Sequence, residues 1–329
     1  MDLDTNAIGL AELGEERDPT HDRGEPGVAI LLSTFNGRKF LGDQLRSFTA
    51  QTHGNWQLYW RDDGSTDGSQ ALLSTFTTGP GRGRCVHAPD DGKLRTTGSF
   101  LALLRLALTG DASYFAFADQ DDFWLPEKLS RSVAAIDQTA AGRPALYFCA
   151  RTLVDSALRP YGHVPAPRRQ PGFPAALTQN VIPGCCMMLN RAAAELIDAA
   201  EVPETTWHDW WCYLVVSAVE GLVIAGDVED ILYRQHPGNL VGEPRGVWRR
   251  IAGAVRRGRQ PFMTIFWRHV AALRAHPIPL PDKTSELLAV IERTRDAGML
   301  ARLKALCIPG LVRQTWLETM LFRLWFLLG

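Results

Sequence analysis

The feature that most constrains the fold is the alternation of short, wholly apolar segments with longer amphipathic segments. Residues 28–33 read VAILLS and residues 114–118 read YFAFA, so neither resembles a strand with one face in water. Uninterrupted apolar runs of this length are typical of parallel strands that are covered by helices on both faces. Residues 39–50 and 98–108 carry apolar side chains at helical spacing. The sequence therefore predicts an α/β fold with a mainly parallel central sheet flanked by helices.

Polar clusters follow three of the predicted strands directly. They occupy residues 33–36, 62–67 and 119–122. The carboxyl ends of parallel strands meet at one edge of a sheet, and ligands bind at that edge. A solvated loop explains one such cluster but explains three poorly. The sequence therefore predicts a binding site there.

The third cluster, DQDD, places Asp119, Asp121 and Asp122 within four positions. Aspartate oxygens suit Mg²⁺ or Mn²⁺, which completes its shell with water and substrate phosphates. In an extended segment, side chains two positions apart point the same way. We therefore expect Asp119 and Asp121 to share one locus, with Asp122 directed elsewhere. Acids that cap a helix starting at Pro126 would explain Asp122, but not all three.

Two stretches carry a resemblance to a known family: residues 28–69, which include STFNG and RDDGSTDGS, and FAFADQDDFWLPEKL at 115–129. They resemble the inverting glycosyltransferases of family 2, which have the GT-A fold, over about residues 28–242. DQDDFW, HDWW and YRQHPGNLVG are similar to a rhamnosyltransferase-like branch that makes bacterial cell-surface polysaccharide from activated deoxysugars. The resemblance implies a metal-dependent, hexosyltransferase-type enzyme that uses a nucleotide-sugar donor and a glycan or lipid-linked acceptor.

The resemblance also implies roles for residues on the donor side. Thr34 corresponds to a position that lines the nucleotide, and Asp63 to the acid that bonds a pyrimidine base. Asp119 and Asp121 correspond to the Asp-x-Asp pair that holds nucleotide and metal, with Asp121 the more direct metal ligand. His236 corresponds to a position near the diphosphate and the metal, although a structural histidine is the alternative.

On the acceptor side, Asp209 corresponds to the base that deprotonates the acceptor hydroxyl. Its neighbours His208, Trp210 and Trp211 are large, so desolvation is expected to raise its pKa and make it a better base. A helix-capping acid is the alternative role. Ser99 stands where relatives often have asparagine, which leaves the donor sugar open.

Two other functions are compatible with parts of the sequence. Phosphatases of the haloacid-dehalogenase type also use Asp-x-Asp, but they carry it on the first strand, and the strand at 28–33 ends in Ser-Thr. A catalytically inactive sugar-nucleotide-binding or membrane-scaffold protein would be expected to lack one of Asp63, Asp121 or Asp209. All three are present, which favours the enzyme.

The ends of the chain differ from its middle in charge. Residues 1–26 hold eight acids and two arginines, which predicts a disordered acidic tail before a glycosyltransferase domain at 27–242. The net charge of −1 gives no support for a nucleic-acid partner. The six cysteines lack CxxC spacing, so reduced, buried thiols are expected. A soft-metal site at Cys185 and Cys186 is the alternative.

Residues 243–329 are predicted to form a helical, basic amphipathic region. Residues 245–281 contain eight arginines and no acid, interleaved with aromatic residues such as Trp248 and Trp267. This pattern is typical of helices that lie on anionic lipid. The apolar helix expected at 311–328 would pack on the core or dip into the bilayer interface. We therefore expect a cytoplasmic protein bound peripherally to the inner face of the cell membrane.

Overall fold

The structure is a computed structural model, and it describes residues 24–239 and 246–329. Most of the predicted acidic tail, residues 1–23, lies outside the described residues. The rest of that segment is bound to the domain: Glu25 Oε2 accepts a hydrogen bond from Gly54 N at 2.7 Å, and His53 Nε2 lies 2.9 Å from Pro26 O. Residues 24–26 therefore belong to the folded part of the chain.

The first part of the chain alternates strands and helices, as the apolar runs predict. Strands β1, β2 and β3 are each followed directly by a helix, and β4 is followed by the short strand β5 and then by a helix. The elements are β1 (Val28–Thr34), α1 (Arg38–Thr49), β2 (Trp56–Asp62), α2 (Ser69–Thr78), β3 (Cys85–His87), α3 (Arg95–Leu108), β4 (Tyr114–Ala118), β5 (Phe123–Trp124) and α4 (Lys128–Ala140).

The second part contains the remaining strands and a series of C-terminal helices. Short 3₁₀ turns at Ala175–Leu177 and Gly184–Cys186 lie in the loop that leads to β8. The elements are β6 (Ala145–Val154), β7 (Pro160–Val164), β8 (Met187–Asn190), α5 (Arg191–Asp198), α6 (His208–Ala218), β9 (Leu222–Arg234), α7 (Val247–Arg257), α8 (Arg259–Arg274), α9 (Asp282–Arg293), α10 (Met299–Ala305) and α11 (Trp316–Leu328).

The described strands form one sheet in the order β3-β2-β1-β4-β8-β6-β9-β5, with β7 paired to β6. Strands β3, β2, β1 and β4 are parallel, β8 runs antiparallel between β4 and β6, and β6 is parallel to β9. In the register, Thr34 lies opposite Asp62 and Leu32 lies opposite Ala118. The three polar clusters therefore meet at one edge, and the predicted α/β architecture is confirmed.

Two local predictions differ from the structure. The apolar segments LVIAGD (222–227) and DILYRQH (230–236) each have a pattern that predicts a separate strand. In the structure, β9 instead runs unbroken through the polar residues between them. It pairs with β6 across two register shifts around Ala150, which lets one long strand absorb the irregular middle. Helix α4 begins at Lys128 rather than at Pro126.

The C-terminal helices pack on one another through aromatic side chains. The ring of Phe266 on α8 lies 5.8 Å from Phe322 and 5.7 Å from Phe326 of α11, centroid to centroid. All three side chains are fully buried. Thr315 caps the first turn of α11, since its hydroxyl accepts a hydrogen bond from Glu318 N. Among the described residues, no helix combines the length and apolarity needed to cross a membrane.

Candidate active site

The DQDD sequence forms a turn after β4 rather than an extended segment. The expectation that Asp122 is directed away from Asp119 is therefore wrong. Ligand atoms of Asp119, Asp122 and the Cys185 thiol lie within 4.8 Å of one another. Asp122 is fully buried, and its Oδ1 accepts a hydrogen bond from Arg234 N at 3.0 Å. Asp121 is carried by the turn to a different partner.

That partner is His236, which follows the end of β9. Its Nε2 lies 2.8 Å from Asp121 Oδ2, and the two side chains are 14% and 16% exposed. The backbone amide of Gly238 donates to His236 Nδ1 at 3.1 Å, which leaves Nε2 directed at Asp121. The ring also packs 4.6 Å from Phe40. Asp121 and His236 are thus held together at the accessible side of the turn.

Arg234 holds the turn in place, a role that sequence reasoning missed. The side chain is 2% exposed. Its Nε donates to Asp121 O at 2.8 Å, and Nη2 donates to Asp43 Oδ2 at 2.7 Å. A buried guanidinium that binds the backbone of the acidic turn fixes its shape. The signal available in the sequence was an arginine at the end of a strand, two positions before His236.

The acidic turn favours protonation of its buried carboxyl groups. Burial, with added repulsion from Asp121 and Asp209, raises the pKa of Asp119 to about 7. Burial and the carboxylates of Asp121 and Asp119 likewise raise the pKa of Asp122 well above its usual range. A hydrogen bond with Cys186 lowers the pKa of Cys185, but burial and the Asp122 carboxylate together raise it by more. The net pKa of Cys185 is therefore raised, and the thiol stays protonated. A cation at this turn would therefore replace protons.

Asp63 is anchored at the start of α3. It is 8% exposed, and its carboxylate accepts hydrogen bonds from Leu94 N at 2.7 Å and Arg95 N at 3.0 Å. Arg61 Nη2 and Ser99 Oγ each lie 3.4 Å from its Oδ1. The carboxylate therefore organises the loop around 89–95, and its predicted contact with a nucleotide base stays a prediction.

Thr34 lies at the same edge but is turned inward. It is 1% exposed, and its hydroxyl donates to Asp62 Oδ2 at 3.0 Å. The next residue, Phe35, is 49% exposed. Gln120 clamps the Phe35 backbone, with Oε1 accepting from its N at 2.9 Å and Nε2 donating to its O at 3.0 Å. The side chain that the end of β1 presents to solvent is thus Phe35, which sequence reasoning missed.

Asp209 lies in the first turn of α6, where Trp210 N donates a hydrogen bond to its Oδ1 at 2.6 Å. The side chain of Asn180 and the backbone of Gly184 interact with its carboxylate and favour the charged form. Burial raises the pKa of Asp209 to about 6, as its large neighbours predict. We call residues 169–184, which include Asn180 and Gly184, the acceptor-side segment, after the predicted role of Asp209 in deprotonating the acceptor. Sequence reasoning did not identify either residue.

His208, just before Asp209, is buried between the rings of Phe100 and Phe117, at centroid distances of 4.2 and 5.2 Å. Within the described residues its two ring nitrogens have no hydrogen-bond partner. Burial lowers the pKa of His208 to about 3, so the ring is neutral. It therefore acts as an apolar support behind Asp209. Because Asp209 also contributes to the raised pKa of Asp119, the acidic turn and Asp209 face one site.

Comparison with known families places the chain. The family described as glycosyl transferase family 2 matches residues 29–197, which is just over half of the chain. The chain belongs to glycosyltransferase family 2. The matched region of this glycosyltransferase contains Thr34, Asp63, Asp119 and Asp121, whereas Asp209 and His236 lie beyond it.

Individual relatives are distant. The chain is 27% identical over 109 residues to the Bacillus subtilis protein named "Putative teichuronic acid biosynthesis glycosyltransferase TuaG", covering 33% of this chain and 41% of that protein. It is 24% identical over 107 residues to the Escherichia coli protein named "UDP-Glc:alpha-D-GlcNAc-diphosphoundecaprenol beta-1,3-glucosyltransferase WfgD". This match covers 32% of this chain and 40% of that protein. The matches thus span about two-fifths of the length of these relatives.

Solved structures agree on the fold. The crystal structure of residues 1–349 of Staphylococcus aureus TarS in complex with UDP matches with a TM-score of 0.53 at 13% identity, covering 82% of this chain and 71% of that one. The UDP-GlcNAc complex of the same protein matches with a TM-score of 0.52 at 13% identity, covering 84% of this chain and 83% of that one. At such identities the likeness shows the fold alone, and the predicted GT-A fold of this glycosyltransferase is confirmed.

Proposed function

We propose that this glycosyltransferase moves a sugar from a nucleoside-diphosphate donor to a hydroxyl of a glycan or lipid-linked acceptor, with inversion, in cell-surface polysaccharide synthesis. The observation that carries the proposal is Asp209, a carboxylate whose pKa burial raises to about 6 and which faces the acidic turn. A base and an acidic cluster for a cation-bound diphosphate in one site are the two parts that an inverting transfer needs.

Asp209 serves as the general base in this proposal. The acceptor oxygen attacks the anomeric carbon, the bond from that carbon to the diphosphate oxygen breaks, and the hydroxyl proton passes to Asp209. A carboxylate with a pKa near 6 is ionised at neutral pH and accepts a proton more readily than an ordinary aspartate. The hydrogen bond from Trp210 N to its Oδ1 helps to orient the carboxylate, and Asn180 and Gly184 interact with it.

A divalent cation fits the acidic turn. Asp121 and His236 are partly exposed and 2.8 Å apart, with Asp119 on the same turn, so their oxygen and nitrogen atoms suit Mn²⁺ or Mg²⁺. Cys185 does not fit a hard cation, because its thiol is buried and protonated. When bound, the cation neutralises charge on the leaving diphosphate. Asp119, Asp121 and His236 are thus the residues that would hold it.

The donor side in this proposal comprises Thr34, Phe35 and Asp63. Thr34 contributes through its hydrogen bond to Asp62, and Asp63 holds the loop that contacts the nucleotide base. The exposed ring of Phe35 offers a face on which a base can stack, and Lys93 Nζ lies 5.5 Å from the centroid of that ring. The donor sugar in the proposal is rhamnose or another deoxysugar, on the likeness of DQDDFW and HDWW to the rhamnosyltransferase-like branch.

The test is a donor panel. Purified protein is incubated with dTDP-rhamnose, UDP-glucose or UDP-N-acetylglucosamine and Mn²⁺, and release of the nucleoside diphosphate is measured with lipid-linked and free glycan acceptors. We expect turnover of one donor, its loss on chelation of the metal, and loss of metal-dependent nucleotide binding in Asp121→Ala. Nucleotide binding without turnover of any donor would instead indicate the inactive sugar-nucleotide-binding protein.

The same proposal places the protein on an anionic membrane at its cytoplasmic side, through helix α7. Trp248 and Val255 lie two turns apart on one face and are 72% and 57% exposed. Arg249, Arg256 and Arg257 are exposed beside them and, within the described residues, form no ion pair. We call these five residues the α7 surface. Exposed aromatic and basic groups together suit the headgroup region of anionic lipid.

Flotation with liposomes tests this placement. Each arginine near an anionic surface contributes about 1 kcal/mol, so replacing the three arginines of the α7 surface with glutamine should weaken binding by about two orders of magnitude. A control variant in which Arg82, Arg105 and Arg159 are replaced with glutamine has the same net charge as the α7 variant. We expect the control variant to float with phosphatidylglycerol vesicles at low salt and the α7 variant to remain in the unbound bottom fraction. Wild-type protein that remains unbound would refute the placement.

A further inference from the structure

The C-terminal part of the chain is hydrogen-bonded to the acceptor-side segment. Gln314, just before α11, brackets one residue of that segment: its Oε1 accepts from Arg169 N at 2.9 Å and its Nε2 donates to Arg169 O at 3.2 Å. The backbone N–H of Gln314 donates to Gln179 Oε1 at 3.1 Å. Thr178 Oγ1 donates to Val312 O at 2.9 Å. Four hydrogen bonds therefore join residues near the start of α11 to this segment.

These bonds lead directly to the base. Gln179, which accepts from Gln314, precedes Asn180 in the chain, and the Asn180 side chain interacts with the Asp209 carboxylate. The backbone of Gly184, at the end of the same segment, also interacts with that carboxylate. A displacement of the segment at Gln314 therefore moves the groups that orient the Asp209 carboxylate.

A second connection runs from α8 to the start of α6. His269 is fully buried, and its Nε2 lies 2.9 Å from Thr206 Oγ1. Its ring packs 4.7 Å from the ring of Trp210 at an interplanar angle of 76°. Trp210 is the residue whose amide donates to Asp209 Oδ1. Both the segment and the first turn of α6 are thus held from the C-terminal helices.

Resting on the proposed role of Asp209 as base, we infer that Gln314 and His269 are positioning residues for the transfer. Neither touches the reacting atoms. They act by fixing, from two sides, the hydrogen-bond donors that aim the carboxylate at the acceptor hydroxyl. The C-terminal helices are therefore part of the acceptor side of the site, in addition to any contact with lipid.

The experiment is a double-mutant cycle with the donor that the panel selects, radiolabelled so that low rates are measured. Gln314→Ala removes the bracket on Arg169, and His269→Phe keeps a ring against Trp210 while removing the bond to Thr206. A small displacement of a base lowers kcat, so we expect each variant to lose about tenfold in kcat with the KM for the donor unchanged. In an Asp209→Asn background, neither substitution should lower the residual rate further.

Thr315→Ala is the matched control, because Thr315 adjoins Gln314 and caps α11, and among the described residues it forms no hydrogen bond to the acceptor-side segment. It should lower the midpoint of thermal unfolding and leave kcat unchanged. The inference alone is overturned if Gln314→Ala and His269→Phe lower the rate equally in both backgrounds, or if Thr315→Ala slows turnover as much as they do. Turnover retained in Asp209→Asn alone would overturn the proposed base and this inference with it.

Discussion

Replacing Gly184 with alanine tests how closely the proposed base is held. A Cβ at this position would lie 2.5 Å from Nε2 and 3.1 Å from Cε1 of His208. Ordinary contact of a Cβ begins at 3.4 Å, so the ring or the Gly184 backbone has to move by about an ångström. The rings of Phe100 and Phe117 stand against His208. The displacement therefore reaches Asp209, which follows His208 in the chain and whose carboxylate interacts with the Gly184 backbone.

The magnitude follows from that displacement. A reacting group that is misplaced by about 1 Å costs about 10²-fold in rate, so we expect kcat of Gly184→Ala to fall by that factor. Overpacking a buried site costs about 1–3 kcal/mol, so the midpoint of thermal unfolding should fall as well. Affinity for UDP in the presence of Mn²⁺ should stay unchanged, because Gly184 lies on the acceptor side.

Gly172→Ala is the control within the acceptor-side segment, since no heavy atom lies within 4 Å of a Cβ built there. Release of nucleoside diphosphate measures turnover, and calorimetry with UDP and Mn²⁺ measures donor-side binding. If Gly184→Ala turned over donor at the wild-type rate with an unchanged unfolding midpoint, the contact with His208 would not constrain the base and the reasoning would be refuted.

Three further predictions concern the acids. Asp209→Asn should lower turnover by about 10²–10⁴-fold while nucleotide affinity, measured by calorimetry, is retained; near-wild-type turnover would exclude it as the base. Asp209 accepts a proton only in its ionised form, and burial raises its pKa to about 6. We therefore expect kcat/KM to be constant above about pH 6 and to fall about tenfold per pH unit below it. A pH profile of kcat/KM that stays flat down to about pH 4.5 would contradict this. Asp63→Ala should weaken UDP binding by about 1.5–3 kcal/mol and lower the unfolding midpoint, since the amides of Leu94 and Arg95 lose their acceptor; unchanged UDP affinity would leave Asp63 a purely structural role.

The sequence predicts the sheet because a strand covered on both faces has to be apolar along its whole length. Residues 28–33 and 114–118 carry that signal, and the polar residues after them identify the edge where ligands bind. β9 escapes prediction because its middle is polar and exposed. Only its pairing with β6 keeps that stretch extended, and pairing partners are not visible in a local pattern.

The site was predictable where its residues are consecutive and unpredictable where they meet through the fold. Asp209 stands out beside bulky neighbours, so the direction of its pKa shift could be inferred. Asn180 and Gly184 lie 29 and 25 positions earlier in the chain, in a loop without periodicity, and no sequence signal joins them to Asp209. The orientation of Asp122 differs from the prediction because the chain turns at residues 120–121, where the prediction requires an extended segment.

The bracket that Gln314 forms on Arg169 has a consequence for engineering. The family match ends at residue 197, so a chimera joined there would inherit the acceptor-side segment from one parent and the C-terminal helices from the other. Such a hybrid would have mismatched halves across the hydrogen bonds to Arg169 and Gln179. Under the proposed function, an exchange of acceptor choice between relatives would therefore require residues 169–184 and 246–329 to be replaced together.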